Sequence, residues 1–167
     1  MKKKKKDLDA IGWREWVSFP ELNIKTIKAK VDTGARTSAL HVSNIQISKK
    51  TETVSFTIHP VQRHRNPVIN TKAPLLGERA VKSSNGDTTI RPVIKTKLKI
   101  GKRLFSIELT LLNRDLMGFR LLLGRSALKE RYLVNSGQSF LLDKKVKTKK
   151  AKTKKTTTKK VTTTKTK

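Results

Sequence analysis

Apolar and polar residues alternate through most of the middle of the chain with a period of two. Ile27, Ala29 and Val31 are separated by Lys28 and Lys30, which predicts a half-buried strand running straight into Asp32. The same alternation returns between Ala39 and Ile47, where polar residues divide Leu40, Val42, Ile45 and Ile47. Val54, Phe56 and Ile58 give a third strand, closed by Pro60. Residues 62–77 hold Pro67, Pro74 and Gly77 with little periodicity and read as a long surface loop. Ser83, Ser84, Asn85 and Gly86 mark a turn, after which residues 88–100 and 104–112 form a long antiparallel hairpin about Gly101 and Lys102. Leu121, Leu122 and Leu123 make an unbroken apolar run ending at Gly124, the pattern of a strand buried on both faces. Ser126 is placed to cap one short helix through about Arg131, with Ala127 and Leu128 in its first turn. Short strands with one late helix predict a mainly β fold, a small closed barrel.

Composition divides this chain into three parts. Of 167 residues, 40 are Lys or Arg and 12 are Asp or Glu, a net charge of +28. Lysines 2–6 hold five of those charges, and residues 144–167 hold twelve more, spaced by nine Thr, two Val and one Ala. Such a tail buries too little apolar surface to offset its ordering entropy, so it is expected to be disordered. It is either a solvated, solubilising tail or a polycation that holds a polyanion by counterion release, with no aromatic for base stacking. Residues 1–9 are read as a basic N-terminus, 10–143 as the domain, and 144–167 as the tail. No apolar run reaches the length of a membrane span, and none follows the N-terminal lysines as a signal peptide requires. Zero cysteines exclude a disulfide framework and a thiolate site, and fit a cytoplasmic location.

Two segments carry the chemistry. Asp32-Thr33-Gly34 ends an apolar strand and continues as Ala35-Arg36-Thr37-Ser38-Ala39-Leu40. A strand end holds a water-activating carboxylate rigid, glycine allows the tight turn beside it, and Thr33 and Ser38 offer groups that orient it. The second segment is Leu121-Leu122-Leu123-Gly124-Arg125, followed by the helix start. In the aspartic-protease fold an apolar-apolar-Gly strand passes under the Asp-Thr-Gly loop before the lone helix. Both parts occur here in that order.

The chain resembles the retropepsin-like family labelled ATP-dependent zinc protease, whose named type is RimB. The resemblance begins at Ile11-Gly12-Trp13-Arg14-Glu15-Trp16-Val17 and runs through Lys28 to His41. It returns at Arg79-Ala80-Val81-Lys82-Ser83-Ser84, at residues 108–111 and 113–117, at residues 121–128, and at residues 134–140. It implies a fold like half of a pepsin and a hydrolase whose catalytic residues are Asp32, Thr33 and Gly34. It also implies a substrate class, because relatives are associated with ATP-grasp ligases that add glutamates to proteins, including a small-subunit ribosomal protein. Cleavage of Glu–Glu amide bonds in such tails is the implied reaction.

Basic residues beside the motifs fit that substrate on independent grounds. Lys28, Lys30, Arg36, Arg79, Lys82, Arg91 and Arg125 flank the site segments, and arginine pairs with carboxylates through a bidentate fork. The predicted substrate-binding set is Lys30, Arg36, Thr37, Ser38, His41, Arg79, Lys82, Ser83, Arg91 and Arg125, with the segment from Arg79 to Gly86 a candidate flap. His41 is either a proton-transfer or substrate-bonding group or a strand histidine with a structural partner. His59 and His64 are expected in solvent. Trp13 and Trp16 read as core or dimer-interface anchors.

Pepsin-like catalysis uses two carboxylates sharing a proton. One Asp-Thr-Gly per chain leaves two routes: a homodimer that pairs two copies of Asp32, or a single Asp32 acting as base with a cation stabilising the oxyanion. A homodimer is expected on either route. With three histidines, no cysteine, no His-Glu-x-x-His and no phosphate-binding glycine loop, neither zinc nor ATP is expected as a cofactor. Partners expected are a glutamate-rich peptide or protein tail and, through the lysine-rich tail, the ribosome or nucleic acid. The alternative function is a non-catalytic polyanion- or RNA-binding module on the same fold.

Overall fold

The computed structural model describes residues 8–62, 64, 66–82, 86–113 and 118–142. Its strands are β1 (Asp9–Gly12), β2 (Arg14–Phe19), β3 (Ile24–Asp32), β4 (Ser38–His41), β5 (Ser43–Ser48), β6 (Thr53–Ile58), β7 (Ile69–Lys82), β8 (Thr88–Ile100), β9 (Arg103–Leu112), β10 (Leu121–Gly124) and β11 (Tyr132–Asn135). A short helix, α1, spans Arg125–Leu128. The main sheet runs β2-β3-β10-β4-β9-β8, and β8 pairs back onto β2, which closes a ring of six strands. From β8 the sheet continues outward through β7, β6 and β5, while β1 and β11 form a separate parallel pair. The mainly β fold expected from the alternation is the fold observed.

Period-two patterning places one face of each ring strand inside. In β3, Ile27, Ala29 and Val31 are buried while Lys30 is exposed. In β8, Thr96, Leu98 and Ile100 are buried while Lys95, Lys97 and Lys99 face solvent. Phe19, Leu40, Ile94, Leu109 and Leu121 fill the middle of the same core. In β10, Leu121 and Leu123 are buried but Leu122 is only half-buried, so that strand is not covered evenly on both faces.

Three local expectations change. Residues 69–77 are strand rather than loop: β7 pairs β6 from Ile69 to Pro74 and β8 from Leu75 to Lys82. Pro74 and Gly77 therefore mark the switch of partner, with a bulge between Leu75 and Gly77 and φ of 143° at Gly77. The run from Ala39 to Ile47 is split into β4 and β5, with Asn44 in the left-handed region at φ 52°. Ser126 lies inside α1 and Gly124 is the N-cap, with no side-chain cap bond. No such cap is needed, because the Arg125 and Ser126 amides donate to the carbonyls of Ala35 and Arg36 at 2.9 and 3.0 Å. The 83–85 part of the expected turn, the N-terminal lysines and the Lys/Thr tail lie outside the described residues.

The C-terminal segment is stitched to β2. Phe140 N–H donates to the Arg14 carbonyl at 2.9 Å, and the Phe140 ring stacks on Trp16 with centroids 5.5 Å apart. Trp13 meets Phe119 edge to face at 5.9 Å. Beneath them, fully buried Glu15 accepts the amides of Gly12 (2.7 Å) and Leu141 (2.8 Å) on Oε1. Glu15→Ala leaves both amides without their acceptor, and buried unpaired groups cost about 1–3 kcal/mol each. We expect a loss of about 2–4 kcal/mol in urea denaturation, at a residue with no place in the cleft described next.

Candidate active site

Asp32 sits at the last position of β3, where the strand leaves the ring. Its Oδ1 accepts the amide hydrogens of Gly34 (3.1 Å) and Ala35 (3.2 Å), so the loop that follows fixes the carboxylate. A Cβ on Gly34 would lie 3.3 Å from that same oxygen, so a side chain there would press on the carboxylate.

The loop is held from below by β10, which runs parallel to β3 with Gly124 opposite Asp32. Gly124 N–H donates to Ser38 Oγ at 3.1 Å in the buried interior. At Gly124 a Cβ would lie 2.6 Å from the Thr37 carbonyl carbon and 2.8 Å from the Arg36 oxygen, so a side chain has no room. Arg125 then reaches back over the loop, and its Nη1 donates to the carbonyls of Thr33 (2.8 Å) and Gly34 (2.9 Å). The Leu-Leu-Leu-Gly-Arg segment thus acts as a brace for the Asp-Thr-Gly turn.

An open cleft of about 860 Å³ lies over Asp32. Besides Asp32 and Gly34, its walls carry Arg36, Thr37, Arg79, Lys82 and Arg91, with Ala39, Val81, Leu112 and Leu122 supplying apolar surface. Among the described lining residues, four side chains are cationic and Asp32 is the sole carboxylate. Arg79 bridges the β7–β8 hairpin to the rest: Nη2 contacts Glu108 Oε2 at 2.8 Å and Nη1 reaches Thr37 Oγ1 at 3.5 Å. Arg91 Nε donates to Thr89 Oγ1 at 2.9 Å.

The structure therefore gathers Asp32, Gly34, Arg36, Thr37, Arg79, Lys82 and Arg91 from the expected set around one cleft. Thr33 and Arg125 line a neighbouring cleft of about 530 Å³ that shares Arg36 with the first. Ser38 is fully buried and spends its hydroxyl on Gly124, so it acts on the loop from beneath. His41 is 2% exposed at the far end of β4 and lines none of these clefts. Lys30 shares the outer face of β3 with Asp32 but does not line the cleft. Ser83 falls outside the described residues.

Sequence reasoning missed Glu108, Thr110 and Leu122 as cleft neighbours. Leu122 was hidden inside an apolar triplet, and Glu108 is an alternating-strand residue whose proximity to Arg79 depends on the register of β9 with β8. Zinc finds no fit: among the described residues no three His, Asp or Glu side chains cluster closely enough to hold a metal.

Tyr132, the single tyrosine of the chain, lines the neighbouring cleft at 6% exposure, and burial raises its phenol above the usual value of 10.0. Raised in the folded state, it contributes stability that is complete below pH 10 and lost as pH rises through the folded value. A near-ultraviolet absorbance titration should therefore give a midpoint above that of free tyrosine, returning to it in denaturant.

The RimB-like family, described as the retropepsin-like aspartic endopeptidase RimB, matches residues 10–145. The chain belongs to this family. A "Probable alpha-L-glutamate ligase" of Desulfotalea psychrophila is 48% identical over 127 residues, covering 75% of this chain and 27% of that protein. A protein of the same name from Shewanella pealeana is 43% identical over 137 residues, covering 81% of this chain and 30% of its own length. The chain thus spans less than a third of these curated relatives. Among solved structures, Lpg0085 of Legionella pneumophila, a protein of unknown function, superposes with a TM-score of 0.68 at 26% identity, over 82% of this chain and all of that one. The retropepsin-like resemblance read from Asp32-Thr33-Gly34 and Leu121 to Arg125 is thereby established at the level of the family.

Proposed function

We propose that the chain is an aspartate-dependent amide hydrolase that cleaves Glu–Glu bonds in glutamate-rich protein tails. The observation that carries this reading is the cleft itself: one carboxylate, oriented by two backbone amides, facing a wall of Arg36, Arg79, Lys82 and Arg91. A peptide rich in carboxylates matches those cations, and guanidinium groups present paired donors to carboxylate oxygens. The names of the two ligase relatives point to glutamate chemistry in the proteins that carry a matching segment.

In the reaction Asp32 accepts a proton from water as its oxygen adds to the scissile carbonyl carbon. A neighbouring guanidinium stabilises the oxyanion, and the proton passes to the departing amine as the C–N bond breaks. A second Asp32 supplied by a two-fold related copy is the other route to the same step, and we propose a homodimer in the cytoplasm. We assign contact with the ribosome or nucleic acid to residues 144–167, through their twelve lysines. No helix among the described residues is long and apolar enough to cross a membrane.

The test is incubation of the purified chain and its Asp32→Asn variant with oligoglutamate peptides, products being followed by mass. Hydrolysis by the parent and not the variant supports the reading. Absent turnover by both, with peptide affinity retained, would leave a polyanion-binding module instead.

A further inference from the structure

We propose that Lys95, Lys97 and Lys99, in a row on the outer face of β8, extend the Asp32 cleft into a track for the distal part of an extended acidic peptide. The proposal rests on the substrate class argued above and adds a second binding region to it.

The row is a product of strand alternation. With Thr96, Leu98 and Ile100 buried at 2%, 0% and 1%, the three lysines project outward together. Alternate residues of a strand stand about 6.6–6.8 Å apart, and alternate side chains of an extended peptide recur at the same interval. A glutamate chain laid along β8 therefore presents every second carboxylate to a lysine.

The row also joins the cleft without a gap. Lys95 lines a space of about 530 Å³ with Arg36, Thr37 and Arg79, and those three residues also line the cleft over Asp32. The one acid facing Lys95 in register is Glu108, whose Oε2 lies 2.8 Å from Arg79 Nη2. Lys97 lies opposite Ser106, and Lys99 lies between Leu104 on β9 and Ser18 on β2.

Glu21 sits beside the row but is fixed mainly by the Lys97 amide at 2.9 Å and the Thr96 hydroxyl at 3.2 Å. Its looser 3.6 Å contact with Lys97 Nζ leaves that lysine side chain 53% exposed. None of the residues in register with the three lysines is aromatic, and Trp16, two residues before Ser18 on the same face of β2, is already stacked on Phe140, which favours a peptide over a nucleic acid along the row.

The experiment compares the Asp32→Asn chain with the same chain carrying Lys97→Gln and Lys99→Gln, two residues that line none of the clefts. Binding of fluorescently labelled oligoglutamates of about three and about twelve residues is measured at low and moderate salt; the longer one suffices to reach from the cleft past Lys99. The paired change should weaken the long peptide about three- to tenfold at low salt, the sum expected for two exposed ion pairs, and the short one by less than about twofold. Unchanged melting temperature and circular dichroism establish that the fold is kept.

Equal weakening of both lengths, no weakening, or no binding of the long peptide overturns the track. So does a loss confined to oligouridylate, measured in parallel, which would assign the row to RNA. Because binding is read in a catalytically disabled chain, failure of the track is separate from failure of hydrolysis by the parent.

Discussion

Asp32→Asn should lower turnover of oligoglutamate by about 10²–10⁴-fold, the range for removing a positioned acid–base group, while the fold survives. The substitution is nearly isosteric, and the asparagine carbonyl oxygen can still accept the Gly34 and Ala35 amides that hold Oδ1 at 3.1 and 3.2 Å. What disappears is the capacity to take a proton from water. The change also removes the single carboxylate among the described lining residues of the cleft. Peptide affinity should therefore hold or rise as kcat falls, because repulsion of the substrate carboxylates is relieved. A fall in affinity with kcat unchanged would contradict the assigned role. Steady-state kinetics, together with equilibrium binding of the same peptide, separate the two.

Gly124→Ala should be the most damaging single methyl group in the chain's active region. The added Cβ meets backbone atoms of Thr37 at 2.6 and 2.7 Å and of Arg36 at 2.8 Å, so no side-chain rotation relieves the clash. The loop and β10 must separate, which also strains the Gly124 amide's bond to Ser38 and the contacts of Arg125 and Ser126 with the loop carbonyls. Overpacking of this kind costs about 1–3 kcal/mol and more where backbone must move. We expect about 3 kcal/mol, a fall in Tm on the order of 10 °C, and loss of hydrolysis out of proportion to the unfolded fraction. Gly118→Ala is the control, since nothing lies within 4 Å of a Cβ there; it should change stability by no more than about 0.5 kcal/mol. Equal behaviour of the two variants in thermal unfolding would show that the brace is not closely packed.

Much of this architecture is legible in the residues. Alternation located β3, β6 and the β8–β9 hairpin, since a strand with one face packed and the other in solvent carries a period of two. The motif pair of Asp-Thr-Gly and Leu-Leu-Leu-Gly was legible because backbone crowding at Gly124, and the Asp32 carboxylate beside Gly34, restrict which residues fit. Pro74 misled because a proline usually ends a strand, whereas here it lies at the switch of partner. Ser126 misled because capping was supplied from a loop remote in sequence. Arg125, chosen for its charge beside a motif, bonds the carbonyls of Thr33 and Gly34, and charge alone does not tell a ligand-binding arginine from a loop clamp.

The sequence by itself determined the strand periodicity, the carboxylate at the end of β3, the glycines beneath it and the division of a +28 charge between tails and domain. Those are local matters, decided by which side chains tolerate burial, turns or crowding. Only the tertiary structure decided which cations share a cleft with Asp32. Arg36 arrives on the motif loop, Arg79 and Lys82 on β7, and Arg91 on β8 directly across from Arg79, through pairings between segments far apart in the sequence. A one-residue slip between β7 and β8 would end the pairing of Arg79 with Arg91 and put the two side chains on opposite faces of the sheet, because adjacent strand positions point in opposite directions.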